Sequence, residues 1–276
     1  MIDIHNHSKF SFDSIAEPSE MINIAKNKGA SVYGFAEHLN LSFTTNVDET
    51  WKNLISYITE INFLQNKNSD MEILHGIEIN HTKDYQNLSC EFVKSLPFDY
   101  VINSVHHLNN FNGLDLYANE VQLMDREKLF ELYFDEIINS LNVKYDYQVV
   151  GHVGFLIKLI KNADFDLIIS RFETKINYIL SQIIERNVCL EINTNSGKDN
   201  CFFPCKRILD RYIELGGNKV SLGADAHTPN RVMENVFNAI VMLDSLGFSN
   251  ITYFKQKKEL NKSIKDLMRS YNATAI

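Results

Sequence analysis

Met1-Ile2-Asp3-Ile4-His5-Asn6-His7 opens the chain with an apolar run that ends in two histidines one residue apart. Residues i and i+2 of an extended segment point to the same side, so His5 and His7 can face one point in space. The arrangement returns near the other end, where Val220-Ser221-Leu222-Gly223-Ala224 runs into Asp225-Ala226-His227. Four runs between them also end on an imidazole or a carboxylate: Phe35-Ala36-Glu37-His38, Gly76-Ile77-Glu78, Ser104-Val105-His106 and Gly151-His152. With 188–193 added, the candidate strands are roughly 1–5, 31–36, 73–79, 99–104, 147–151, 188–193 and 219–224. Each is short and rich in Ile, Val, Leu or aromatics, as buried parallel strands are.

Between these runs, apolar residues recur at three- and four-residue spacing over 18–28, 48–65, 121–141, 164–186, 203–215 and 230–246, which predicts helices. Gly29, Gly216 and Gly217 stand where two of them should stop. The stretch 255–272, with Lys255, Lys257, Lys258 and Glu259, reads as a closing amphipathic helix with a solvated face. Strands alternating with helices give an α/β fold around a parallel sheet. No Gly/Ser-rich linker, low-complexity tract or internal repeat divides the chain, so residues 1–276 read as one domain. In a βα barrel the C-terminal ends of the strands meet at one mouth, where active sites lie. A single histidine is more often a surface or satisfied core residue than a ligand. Here the ligand-type side chains follow strands rather than precede them, which is not a chance arrangement.

Composition narrows the function. The net charge is −8 and there is no basic tract, which argues against nucleic acid as a partner. No stretch of about 18 uninterrupted apolar residues suggests a membrane span, and the first residues leave no room for a signal peptide. Cys90, Cys189, Cys201 and Cys205 read as reduced thiols of a cytoplasmic protein. Cys201 and Cys205 lack a second pair at zinc-finger spacing. The nitrogen and oxygen donors at the strand ends suit zinc, manganese or iron.

The order H-x-H, E-H, G-x-E, S-V-H, G-H and D-A-H resembles that of the PHP (polymerase and histidinol phosphatase) superfamily, over nearly the whole chain. Pro97-Phe98-Asp99-Tyr100-Val101 and Glu191-Ile192-Asn193-Thr194 resemble its stand-alone histidinol-phosphate phosphatase branch. The resemblance implies a distorted (β/α)7, TIM-like barrel with up to three divalent metal ions, and hydrolysis of L-histidinol phosphate. Carried over by position, the first ion would take His5, His7, Glu78 and Asp225; the second Glu78 as a bridge with His106 and His152; the third Asp13, His38 and His227. Some relatives place a histidine where this chain has Asp13, which still offers an oxygen. The implied reaction is attack on phosphorus by a hydroxide bridging two ions, with the third ion on the non-bridging oxygens. Asp13, Asp225 and His227 are the candidates for protonating the leaving group.

The chain departs from that pattern in places. Relatives often carry Asp two residues after the G-H histidine, where Gly154 stands. Their phosphate-binding arginines after the G-H and E-I-N-T motifs are replaced by Lys158 and by Asn195 and Lys198, while Arg231 lies four residues past His227. Lys binds phosphate as a point charge without the fork of Arg. Lys158, Asn195, Lys198 and Arg231 are therefore the candidate substrate contacts. His75 and His81 match no family position, His107 should point away from His106, and Glu37 is either a support for a ligand or a buried ion pair. Phe10, Phe12, Phe43, Trp51, Phe111 and Tyr117 are expected in or near the mouth loops. The changed phosphate side keeps another ester in play (a nucleotide, sugar phosphate or phosphotyrosine), and a non-catalytic metal-binding module is the reading from a different class. Oligomeric state is not legible.

Overall fold

A computed structural model describes residues 1–41, 46–109, 111, 113–160, 164–195 and 202–274. The elements run β1 (Ile2–Asp3), α1 (Pro18–Asn27), β2 (Val32–Leu39), α2 (Val47–Lys67), β3 (Glu72–Asn80), α3 (Gln86–Ser95) and β4 (Val101–Ser104). A small hairpin follows, β5 (His107–Leu108) and β6 (Leu114–Asp115), then α4 (Arg126–Ser140) and β7 (Val149–Val150). Next come α5 (Phe155–Leu159), α6 (Phe165–Arg171), α7 (Glu173–Glu185), β8 (Cys189–Asn193), α8 (Lys206–Glu214) and β9 (Val220–Gly223). The chain finishes with α9 (Val236–Ser245), β10 (Asn250–Lys255), β11 (Lys258–Ser263) and α10 (Ile264–Thr274). Among the described residues, no helix is long and apolar enough to cross a membrane.

Seven strands form one parallel sheet in the order β1-β2-β3-β4-β7-β8-β9. Each of the seven candidate runs supplies one of these strands. The sheet is drawn into a nearly closed barrel by the backbone beyond β1 and β9. The Ile4 N–H donates to the Leu222 carbonyl at 2.9 Å, Asp225 N–H to His5 at 2.7 Å, and His7 N–H to Ala226 at 2.9 Å. The residues that close the barrel are therefore the H-x-H and D-A-H motifs themselves.

The barrel centre is filled by Tyr100, which is fully buried. Its hydroxyl donates towards the carbonyls of Ile4 at 2.5 Å and Phe35 at 2.9 Å. The ring lies where side chains of its neighbours would be: a Cβ on Gly76 would stand 2.2 Å from it, and one on Gly34 2.3 Å from its hydroxyl. Tyr57, from α2, donates to the Gly76 carbonyl at 2.9 Å and so ties that helix to the same layer.

The helices depart from expectation where local signals compete. The stretch 164–186 is two helices, α6 and α7, meeting at Phe172, whose backbone leaves the helical region. Helix 121–141 begins only at Arg126, where the Asp125 side chain accepts from the Lys128 N–H at 2.9 Å. Likewise α8 occupies only 206–214 of the run 203–215, and α9 starts at Val236, after Met233 and Asn235 take left-handed conformations. Gly29 and Gly216 do stop α1 and α8, at φ 78° and 91°. The closing helix over 255–272 is incorrect. Residues 250–263 form the β10–β11 hairpin, turned at Gln256 and Lys257, both left-handed at φ 51° and 61°, and α10 begins only at Ile264. Ile251, Thr252, Tyr253 and Phe254 are buried β-branched or aromatic residues, which favour a pleated strand over a helix turn. Neither α3 nor the β5–β6 hairpin is among the elements that the sequence predicts.

Candidate metal centre

The strand ends converge on Glu78, at 1% exposure near the end of β3. One of its oxygens, Oε1, lies 2.9 Å from His152 Nε2 and 3.3 Å from His106 Nε2, and those two nitrogens are 3.1 Å apart. The other, Oε2, lies 3.4 Å from His5 Nε2, 3.6 Å from His7 Nε2 and 2.8 Å from His38 Nδ1. Asp225 Oδ1 is 3.2 Å from His7 Nε2. At the outer edge, Asp13 Oδ2 is 3.2 Å from His227 Nε2 and 3.4 Å from His38 Nε2. Every position carried over as a ligand is thus part of one cluster. Among the described residues, three overlapping trios bring their donor atoms within 4.8 Å: His5, His7 and Asp225; His38, Glu78 and His106; and His7, His38 and His227.

Two observations test whether these residues fit metal ions. First, His5 Nε2, His7 Nε2, His38 Nδ1 and Glu78 Oε2 are buried and make no hydrogen bond. Atoms left so are expensive unless a partner completes them. Second, the spacings are those of a coordination shell. Bonds of ~2.0–2.1 Å to one tetrahedral ion place ligand atoms about 3.3 Å apart. The donor set fits.

The imidazoles are also pre-oriented. His5 Nδ1 pairs with Glu191 Oε1 at 2.5 Å, His7 Nδ1 with Ser11 Oγ at 3.2 Å, and His227 Nδ1 with the Asp225 carbonyl at 3.0 Å. In each case the Nδ1 proton is held by its neighbour and the Nε2 lone pair faces the cluster, as in metal-ligating histidines. Ser11 accepts from His7 because its own hydroxyl donates to Glu37, at 2.5 Å, and it also accepts the His38 N–H at 3.0 Å. Glu37, fully buried, further takes the Ser8 N–H and hydroxyl. Of its two expected roles it fills the support of ligands. The backbone is strained here: His152 and Asp225 have φ of 23° and 50°.

With these groups alone, protons stand where cations would. Burial opposes charge on Glu78, yet the imidazoles of His106, His5 and His38 hold its carboxyl well below the usual range. Burial likewise opposes charge on His38, but Glu78 and Asp13 raise it to about 10. His7, buried and facing His38 and His227, is held well below the usual imidazole value.

Beside Asp225, the candidate substrate contacts also meet. Asn195 donates to the Asp225 carbonyl at 3.1 Å, and its own Oδ1 accepts from Lys158 Nζ at 3.1 Å and Arg231 Nη2 at 2.7 Å. Arg231 is further paired with Glu234 at 2.7 Å. Lys198, Phe43 and Cys201 lie outside the described residues. Gly154 sits at φ 96°, so the aspartate of relatives would be strained there; the His152 N–H goes instead to Glu191 Oε2 at 2.7 Å.

The mouth is lined by Phe12, Asp115, Tyr117, Phe155 and His107 around the cluster. His107 also lines the mouth, with its Nδ1 against the Asn80 side-chain amide at 2.5 Å. Phe155 packs on His152 at 5.0 Å between ring centres, Tyr117 on Phe155 at 5.3 Å and Phe12 on His38 at 5.3 Å. Phe10 packs on Tyr57 and lines a neighbouring cavity with Phe12 and His38, and Trp51 packs on Phe92. His75 lies near Asp99 at 3.8 Å, and His81 is 3.3 Å from the buried Glu136. Sequence reasoning missed Glu191, Ser11, Asp115 and Phe155. Only Glu191 carried a signal: a carboxylate inside the apolar run Val188-Cys189-Leu190-Glu191-Ile192.

The model of the PHP domain matches residues 3–195 of the chain. A protein of Lactococcus lactis named histidinol-phosphatase is 27% identical over 274 residues, covering 96% of this chain and 99% of that one. A protein of Clostridium acetobutylicum named "Probable histidinol-phosphatase" is 26% identical over 261 residues, covering 93% and 98%. Among solved structures, histidinol phosphate phosphatase from Lactococcus lactis in complex with zinc, L-histidinol and phosphate superposes with a TM-score of 0.82 at 25% identity, covering 94% of this chain and 98% of that one.

Proposed function

Since the chain belongs to the PHP domain family, we propose that it is a metal-dependent phosphomonoesterase that hydrolyses L-histidinol phosphate to L-histidinol and phosphate. The observation that carries this is the buried cluster around Glu78, with donor atoms left unpaired at coordination spacing. The likeness to relatives named for that activity over more than nine-tenths of the chain supports the substrate.

We read residues 1–276 as one catalytic domain acting in the cytoplasm, in keeping with the free thiols of Cys90 and Cys189. Three divalent ions, zinc, manganese or iron, are assigned to His5, His7, Glu78 and Asp225; to Glu78, His106 and His152; and to Asp13, His38 and His227. Such ions would neutralise phosphate oxygens and lower the pKa of a bound water towards ~7. The other residues do the rest. Lys158 and Arg231 meet on the amide oxygen of Asn195, Lys158 reaching the Asn195 carbonyl as well and Arg231 the Glu234 carboxylate, so two positive charges stand close together and only one of them has a carboxylate partner. A phosphate dianion would relieve that repulsion, and we assign the three residues, with Lys198, to it. Asp13 and His227, with side chains 37% and 25% exposed against 10% for Asp225, lie on the open side. There they can direct a proton to the departing alcohol by way of water, since their ligating atoms would carry none with an ion bound. Phe12, Tyr117 and Phe155 offer flat apolar faces for an imidazole ring. Asp115 offers a carboxylate for the α-ammonium group: its Oδ1 accepts the Tyr117 N–H at 2.8 Å, which leaves the second oxygen for a ligand in the mouth that the residue lines.

The test is phosphate release from L-histidinol phosphate by metal-reconstituted protein, beside a His5→Ala, His7→Ala variant and a panel of nucleotide, sugar and tyrosine phosphates. Turnover by wild type that disappears in the variant, with histidinol phosphate preferred by a wide margin, is expected. Preference for another ester would keep the metal centre and overturn the substrate. Bound metal without turnover of any ester would favour the non-catalytic module.

A further inference from the structure

Glu191 is 1% exposed, and both of its oxygens are committed to residues that carry metal ligands. Oε1 pairs with His5 Nδ1 at 2.5 Å and Oε2 accepts the backbone N–H of His152 at 2.7 Å. The first contact turns one histidine, so that its Nε2 faces Glu78. The second holds the other histidine in a left-handed backbone conformation, φ 23°, that a non-glycine residue rarely adopts without support. We propose that Glu191 is a positioning residue that fixes His5 and His152 together, so that the ions those two histidines hold bind and leave as a coupled pair. The proposal rests on the metal-dependent reading above.

The neighbouring strand is built around this carboxylate. A Cβ on Gly223 would stand 2.4 Å from the Cβ of His5 and 2.6 Å from Glu191 Oε1, so β9 carries its glycine where the pair needs the space. Glu191 is not itself a spare ligand, because both oxygens already have partners; Asn193 adds a weak third contact at 3.4 Å. Its reach across the barrel is what sets it apart from Glu37. Glu37 acts through Ser11 on His7 and His38, a different pair of ligands. Two buried carboxylates thus divide the support of the cluster between them.

The experiment is zinc content per chain after dialysis against graded chelator, for wild type, Glu191→Gln, Glu191→Asp and Glu37→Gln, with circular dichroism to follow the fold. Glu191→Gln is expected to keep the fold and lose affinity about 10–100-fold for two ions in a single step, with the ion on Asp13, His38 and His227 retained. The 15N resonances of His5 should also lose the fixed Nδ1–H tautomer. Glu37→Gln should instead weaken the ions that His7 and His38 hold, so that the ion on Asp13, His38 and His227, which Glu191→Gln retains, is lost. Three ions retained in Glu191→Gln at wild-type chelator concentrations would overturn this proposal alone. Wild type that binds no metal would overturn the phosphatase reading and this proposal with it. Failure of both Glu191 variants to fold would make the residue a structural strut, and that too would overturn the proposal.

Discussion

Replacing Asp115 with Asn removes one negative charge from the mouth and little else. The amide oxygen placed there can still accept the Tyr117 N–H, which the carboxylate takes at 2.8 Å, so the turn after β6 should persist. The loss falls on whatever cation the carboxylate faces. Two unit charges ~4 Å apart at an effective dielectric of ~20 attract by about 4 kcal/mol. Asp115 is only half-buried, so water takes part of that, and a charged hydrogen bond contributes a net ~1.5–3 kcal/mol. The lower end of that range corresponds to roughly tenfold in kcat/KM. The assay compares L-histidinol phosphate with the same ester lacking its amino group, both followed by phosphate release. Asp115→Asn should lose about tenfold on the amine-bearing ester and almost nothing on the other. An equal loss on both would show that Asp115 only shapes the hairpin, and no loss on either would remove it from the substrate.

Arg231→Ala and Lys158→Ala should each lower kcat/KM by about 10–100-fold on every phosphate ester; Arg231→Lys should recover only part, because the fork is gone, and wild-type kinetics in both alanine variants would separate these cations from phosphate. Gly76→Ala should cost about 3 kcal/mol in denaturant unfolding, since its Cβ would lie 2.2 Å from the buried Tyr100 ring; an unchanged midpoint would refute that packing. Burial holds the His81 imidazole down to about 4, beside a Glu136 carboxylate that Asn109 also engages. The unfolded chain then takes up a proton that the native one refuses, so this contribution is complete above ~6.5 and is lost as pH falls towards 4. The stability gap between wild type and His81→Gln should therefore shift by about 1 kcal/mol between pH 7 and 5.5, and a constant gap would contradict it.

The site was legible because every candidate ligand except Asp13, which only the resemblance supplied, lies at or just past the end of an apolar run, and an apolar run buried on both faces has little choice but to be a strand. His5, His38, Glu78, His106, His152 and Asp225 could be ordered around a barrel mouth without coordinates. What surrounds them was not legible. Glu191 looks like an interruption in a strand until the fold sets it between His5 and His152. Asp115 and Tyr117 reach the mouth on a hairpin whose pairing is a tertiary choice. The same holds for β11, an exposed Lys-Glu-Leu-Asn-Lys-Ser segment with a helix-like composition that becomes a strand because β10 offers its edge. The break at Phe172 likewise follows from packing, since nothing in its sequence forbids a continuous helix.

The seam that shuts the barrel joins its first strand to its last. Asp3 accepts the Ala224 N–H across a separation of 221 residues, and Ile4 donates to Leu222 beside it. Contacts so distant along the chain are late events in folding, because the entropy of closing the loop must be met before they reward it. During synthesis, His5 and His7 leave the ribosome long before Asp225 and His227 exist. A nascent chain therefore carries half a centre and no enzyme. Activity arrives all at once, when the last barrel strand docks on the first, and a metal ion bound by His5, His7 and Asp225, as proposed, would act as a latch on the finished fold.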